Sequence, residues 1–183
     1  MTWQTRTTRT VYENRWISVR EDEVTGPGGD GIYGVVTMRR PSVFVVALDE
    51  DDRVCLVTLE RYATRSESIE VPGGGTDGEE PLRAAQRELA EETGLFAAEW
   101  TAIGRMDALN GIANAPEHVF LARGLSPAAF DVAASDEQRR EGITRVSWVP
   151  FAEVLDLART GAISDGETLA ALFLAALHLG RVS

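Results

Sequence analysis

The stretch Gly73-Gly-Gly-Thr-Asp-Gly-Glu79-Glu-Pro-Leu-Arg-Ala-Ala-Gln-Arg87-Glu88-Leu89-Ala-Glu91-Glu92-Thr-Gly94-Leu95 decides how the rest of the chain is read. It is a glycine-rich turn feeding an acidic segment. Pro81 suits a first helical turn, where no intrahelical N–H is needed, and Gly94 suits the left-handed residue that closes a helix. The spacing predicts a helix from about Glu80 to Thr93. On it Glu88, Glu91 and Glu92 are related by i, i+3 and i, i+4 steps, which puts their carboxylates on one face. Leu82, Ala85 and Leu89 form an adjoining apolar stripe that would pack on a sheet.

Like charges on one helical face repel each other, so a cation is expected to offset them. Arg87 can reach Glu91 one turn on, which leaves Glu88 and Glu92 unpaired. A divalent metal ion would serve both. Carboxylate oxygens, backbone carbonyls of the glycine turn and water are the ligands that Mg²⁺ or Mn²⁺ prefers. With one cysteine and two histidines, Cys55, His118 and His178, the chain has no set of soft ligands for structural zinc.

A glutamate-rich helix is ordinarily just a solvated face. Here the order is more specific: glycine, five residues, glutamate, seven residues, then Arg-Glu-apolar-x-Glu-Glu-x-Gly-apolar. That order reproduces the signature of the Nudix hydrolases, and the chain resembles that family. The resemblance implies an α/β/α sandwich around a mixed β-sheet, where the residues alone give α/β. It also implies Mg²⁺-dependent hydrolysis of a diphosphate bond. In that reading Glu88 and Glu92 are the principal metal ligands, Glu91 is a further ligand or base, and Arg87 orients them. Glu79 steadies the loop. Pro72 directly precedes the glycine that the count selects, so the backbone ligand is Gly73, with Gly74 as the alternative.

The whole chain bounds this further. At 183 residues it is most simply one domain with room for a proper core. A net charge of −11 and a pI near 4.7 oppose a nucleic-acid surface, which carries a basic stripe to neutralise phosphates. A small anionic nucleotide held through a metal is compatible with that charge. No apolar run of membrane-spanning length and no signal-peptide pattern is read, so no membrane is expected and the location expected is cytoplasmic. Cys55, inside Val54-Cys-Leu-Val57, reads as a buried strand thiol.

In chain order, Trp16-Ile-Ser-Val-Arg20 and Tyr33-Gly-Val-Val-Thr-Met38 alternate apolar and polar positions around Thr25–Gly31, a strand pair with a long turn. Residues 1–40 therefore form N-terminal strands ahead of a domain over 41–183. Ser42–Leu48 and Arg53–Leu59 are β-branched runs joined by the acidic turn Asp49–Asp52. Arg61, Tyr62 and Arg65 follow; guanidinium groups suit phosphate and a phenol ring can stack on a base, which makes them substrate-binding candidates beside plain surface positions. Trp100–Arg105 and Glu117–Arg123 read as strands around the loop Asn110–Pro116, with His118 an ordinary strand position. A charged loop, Ala134–Gly142, precedes the strand Ile143–Val149. Pro150–Thr160 is a short amphipathic helix. Ser164-Asp-Gly-Glu167 reads as a capping box before an apolar helix ended by Gly180, buried on more than one side by the sheet or by a second subunit.

Within the Nudix family, the branch acting on ADP-ribose and other nucleoside diphosphate sugars is the one this chain resembles. There, an extra N-terminal antiparallel sheet often helps build a homodimer, though such a sheet can equally just cover an edge. Glu70-Val-Pro72 is similar to the strand leading into the motif in that branch, which adds Glu70 to the substrate-binding candidates. A glutamate on the loop before the last strand can help activate water there, which points to Glu141 and Glu137. The alternatives are a nucleoside triphosphate pyrophosphohydrolase and a catalytically silent nucleotide-sensing module. The motif here is intact and no DNA-binding segment is expected beside it.

Overall fold

A computed structural model of the chain describes residues 2–127, 136 and 138–182. An N-terminal sheet leads. Strands β1 (Gln4–Glu13), β2 (Ile17–Gly26) and β3 (Gly29–Met38) pair antiparallel in that order. The turn between β2 and β3 is tight, not long: Gly26 pairs with Gly29 and the ladder runs on through Thr25 and Gly31. Gly29 has φ +99°, a conformation open to glycine, which allows the close reversal. Two further features depart from the sequence reading. β1 is an extra strand, exposed along its whole length, so no apolar alternation marks it. The loop Asn110–Pro116 contains the short strand β9 (Ala113–Asn114), which joins β3 in parallel and makes the sheet mixed at that edge.

The central layers are two sheets. β7 (Gly73–Gly75), β4 (Ser42–Ala47), β10 (Pro116–Pro127) and β8 (Leu95–Asp107) form one, in that order, with β4 and β10 parallel and the other pairs antiparallel. β11 (Ile143–Pro150), β5 (Arg53–Arg61) and β6 (Ser66–Glu70) form the other, antiparallel throughout. The turn from β4 to β5 is held by Asp49, whose carboxylate accepts from the Asp51 and Arg53 amides at 3.0 and 2.8 Å.

Helix α1 (Pro81–Thr93) has the predicted ends, with Pro81 in its first turn and Gly94 left-handed at φ 70°. It lies on β4, β7 and β8, and its Ala84, Ala85 and Leu89 close a core with Val43, Val45, Cys55 and Phe120. Leu82 stays at the surface. Burial pushes the Cys55 thiol up to about 12, helped by the charges of Glu92 and Asp49, so it is an inert core residue as expected. Helix α2 (Phe151–Thr160) covers β5 and β11, and α3 (Gly166–His178) covers β4, β8 and β10. Together they bury Val46, Leu56, Val119 and Leu121 against Phe151, Val154 and Leu172.

The cap of α3 is shifted from the predicted box by one residue. Asp165, not Ser164, accepts the Thr168 amide at 2.8 Å, because Asp165 is the last extended residue before the helix. α3 is buried on one side, while Phe173 and Leu177 on the other are exposed in the single chain. None of the described helices is long and apolar enough to cross a membrane.

Candidate active site

The acidic face of α1 meets the glycine strand β7. Glu88 and Glu92 are 5% and 3% exposed, which is unusual for carboxylates and demands partners. Glu92 has one in the Gly73 amide, which donates to its Oε2 at 2.9 Å. Glu88 lies against Gly74, where a Cβ would come within 2.5 Å of its Oε1, so only glycine lets strand and carboxylate approach this closely. Gly73 is constrained too: a Cβ there would sit 2.6 Å from the Val43 carbonyl. Both glycines therefore line the site, Gly73 turning its amide to Glu92.

Arg87 ties the motif together. Its Nε donates to Glu79 at 2.9 Å, Nη1 to Glu88 and Glu91 at 2.8 Å each, and Nη2 to the Gly75 carbonyl at 2.9 Å. Four acceptors on one planar fork fix the loop relative to the helix. Glu79 thus has the loop-holding contact expected of it. Glu91 is held by Arg87 at the edge of the group.

Glu141 completes the cluster. Oxygens of Glu88, Glu92 and Glu141 lie within 4.8 Å of one another, a spacing that suits a cation. The segment that delivers Glu141 is not a loop at this point, because residues 138–141 are helical. The Gln138 side-chain amide donates to the Glu92 carbonyl at 2.8 Å, meeting one of the carbonyls that the end of α1 leaves free. Glu137, the other candidate from this segment, lies outside the described residues.

The electrostatics agree with a demand for positive charge. Burial raises the Glu88 carboxyl to about 7, against the pull of Arg87 and with a push from Glu141 and Glu91. Burial also lifts Glu92 well above the usual carboxylate range, offset in part by the Gly73 amide and reinforced by Glu141 and Glu88. Carboxylates that resist ionising together are what a divalent ion stabilises in the charged form. Their all-oxygen character fits Mg²⁺ or Mn²⁺.

The cluster opens into a cleft of about 530 Å³ that Arg61 and Trp16 also line. Arg61 reaches it from the end of β5, clamped by the buried Glu70, which accepts from Nε at 2.9 Å and also from Nη2. Arg61 and Glu70 also line a neighbouring cavity with Asp165 and Gly166 at the start of α3. Tyr62 is 91% exposed, and neither it nor Arg65 lines either hollow. Trp16 was not among the sequence candidates. It sits between β1 and β2, is 58% exposed, and carries the Arg15 guanidinium 4.0 Å from its ring centroid. Its signal in the sequence was an aromatic at the very start of a strand, where core packing does not require one.

The NUDIX domain matches residues 38–172, about three quarters of the chain. The chain belongs to the Nudix family. The nucleoside diphosphate sugar hydrolase N-terminal domain matches residues 3–36 of this Nudix protein. An ADP-ribose pyrophosphatase of Mycobacterium tuberculosis is 28% identical over 92% of this chain and 80% of its own length. A CMP-5'-(N-acetyl-N-hydroxy-3-aminopropyl)phosphonate hydrolase of Streptomyces rubellomurinus is 29% identical over 98% of this chain and 84% of its own. The crystal structure of an ADP compounds hydrolase shares the fold with a TM-score of 0.82 at 22% identity, covering 100% of this chain and 98% of that one. The molecule is thus a Nudix pyrophosphohydrolase with the sandwich and added N-terminal sheet expected of it.

Proposed function

We propose that this enzyme cleaves the diphosphate bond of a nucleoside diphosphate derivative, ADP-ribose or another nucleoside diphosphate sugar, using Mg²⁺ or Mn²⁺. The observation that carries the reading is the convergence of Glu88, Glu92 and Glu141 beside the Gly73 amide. Glu88 and Glu92 would hold the ion, helped by Glu141 and the backbone of Gly73 or Gly74. A divalent ion bound there would screen phosphoryl oxygens and lower the pKa of a coordinated water.

The protein's own groups supply the rest. Arg87 keeps Glu88 in place and holds Glu91 one turn away as a reserve ligand or base. Glu141, the exposed member of the cluster, would take a proton from the attacking water. Arg61, steadied by Glu70, faces the diphosphate with a forked donor set. Trp16 offers an indole face on which a nucleobase can stack across the cleft. Residues 1–40 supply that wall, with residues 41–183 forming the catalytic domain. The same N-terminal sheet, with Val11 and Tyr12 exposed on β1 and Trp3 exposed just before it, is the surface we assign to a homodimer.

The test is a substrate panel with Mg²⁺ and with Mn²⁺. The expected result is conversion of ADP-ribose and water to AMP and ribose 5-phosphate. Release of inorganic pyrophosphate from a nucleoside triphosphate, with ADP-ribose left intact, would replace this reading by a triphosphate one.

A further inference from the structure

The segment Glu70-Val71-Pro72-Gly73 passes from one sheet to the other. β6 ends at Glu70 in the sheet of β5, and β7 begins at Gly73 in the sheet of β4. A chain that changes sheets leaves its ladder, so its backbone groups must find partners one by one. Here each has a different one. The Val71 amide donates to Thr168 Oγ1 at 3.1 Å, the Pro72 carbonyl accepts from the Val45 amide at 2.8 Å, and the Gly73 amide donates to Glu92 at 2.9 Å. Pro72 has no amide to place.

Of these three partners, Thr168 alone comes from α3, 97 positions further along the chain. It is the third residue of that helix, is 0% exposed, and has its own amide held by the Asp165 cap. Threonine is a poorer helix former than alanine or leucine, and Ala171 and Leu172 one turn on belong to the apolar core, as Val71 does. A hydroxyl buried at this place is accounted for by the amide it receives. The bond sits between two contacts of the site. Glu70, one residue before it, clamps Arg61, and Gly73, two residues after it, donates to Glu92. The segment has no slack against β4, since a Cβ on Gly73 would stand 2.6 Å from the Val43 carbonyl.

We propose that Thr168 is a positioning residue for the acidic cluster. Through Val71 it fixes where the Gly73 amide stands, and through that amide it fixes Glu92. The start of α3 thereby sets how tightly the cluster holds a divalent ion, although no residue of α3 belongs to the cluster. This rests on the metal reading above. Without the Thr168 oxygen, the Val71 amide is a buried donor with nothing to receive it, and the segment must shift to satisfy it. A shift there moves the Gly73 amide away from Glu92, and the carboxylate loses the donor that orients it.

The experiment measures Mn²⁺ binding to metal-free protein by electron paramagnetic resonance, without substrate, in wild type, Thr168→Val, Thr168→Ser and Val154→Ala. Valine keeps the shape of threonine and removes the acceptor, whereas serine keeps the acceptor. Val154→Ala opens the core under α2 and leaves the segment's hydrogen bonds in place. Thr168→Val should weaken Mn²⁺ binding by about three- to tenfold, less than the loss of a ligand would. Thr168→Ser should bind within about twofold of wild type. Val154→Ala should melt lower and still bind Mn²⁺ as wild type does, which separates positioning from stability. Should Thr168→Val not fold, Thr168→Ala carries the same comparison with the same expected loss. Wild-type affinity in the variant that lacks the hydroxyl, an equal loss in Thr168→Ser, or as large a loss in Val154→Ala would overturn the assignment. If the Mn²⁺ affinities follow this order while ADP-ribose is left intact, the inference stands and the substrate reading falls. If the wild type binds no Mn²⁺, the metal reading falls and this inference falls with it.

Discussion

At the scale of single residues, Glu92 and Gly74 have different jobs. Glu92 is buried, accepts the Gly73 amide and belongs to the cluster, so Glu92→Gln should lower divalent-dependent turnover by more than about a hundredfold. The fold should survive, because the change removes a buried charge that other carboxylates oppose. Circular dichroism and a melting curve alongside the rate would check both halves. Gly74→Ala tests spacing and leaves charge alone. Its Cβ would meet the flexible end of Glu88 at 2.5 Å, so the carboxylate must move while the strand stays. Divalent affinity, read by calorimetry, should fall by about ten- to a hundredfold. The grouping of Glu88, Glu92 and Arg87 was legible in the sequence because helical periodicity alone places them. Trp16 and Gln138 were not, since each matters only through a neighbour far away in the chain.

At the scale of elements, the helical turn at residues 138–141 shows how a short segment acquires a role. Gln138 anchors it to the end of α1, and the anchoring brings Glu141 to the cluster. Gln138→Ala should therefore reduce kcat by about tenfold while leaving the melting temperature within a degree or two, since the lost bond lies near the surface. A loss of stability with kcat intact would assign Gln138 a structural task instead. The elements read correctly were those with hard punctuation, such as α1 between Pro81 and Gly94 and the turn at Asp49. β1 escaped because all ten of its residues are exposed, leaving β-favouring threonines as its signal. The capping box slipped by one residue because Ser164 and Asp165 are both competent caps, and backbone conformation chose between them.

At the scale of the whole molecule, the sandwich buries Glu88 and Glu92 of the acidic cluster, which the unfolded chain would leave in water, and stability should record this. Glu88 titrates near 4.5 when unexceptional and near 7 in the fold, so the native state binds more protons than the unfolded chain between those values. The contribution is present in full at low pH and is lost as pH rises through about 7. Metal-free protein should accordingly melt higher at roughly pH 5.5 than at roughly pH 8, and Glu88→Gln should flatten that difference. Differential scanning calorimetry in chelator would show it. Adding Mg²⁺ at the higher pH should restore stability, because a ligand that binds only the native state stabilises it. The most direct test of the cluster is a titration of metal-free protein with Mn²⁺, followed by electron paramagnetic resonance, for wild type, Glu88→Gln and Glu92→Gln. Binding by the wild type should be saturable and should weaken by about ten- to a hundredfold or more in either variant. Equal Mn²⁺ binding by all of them would contradict this.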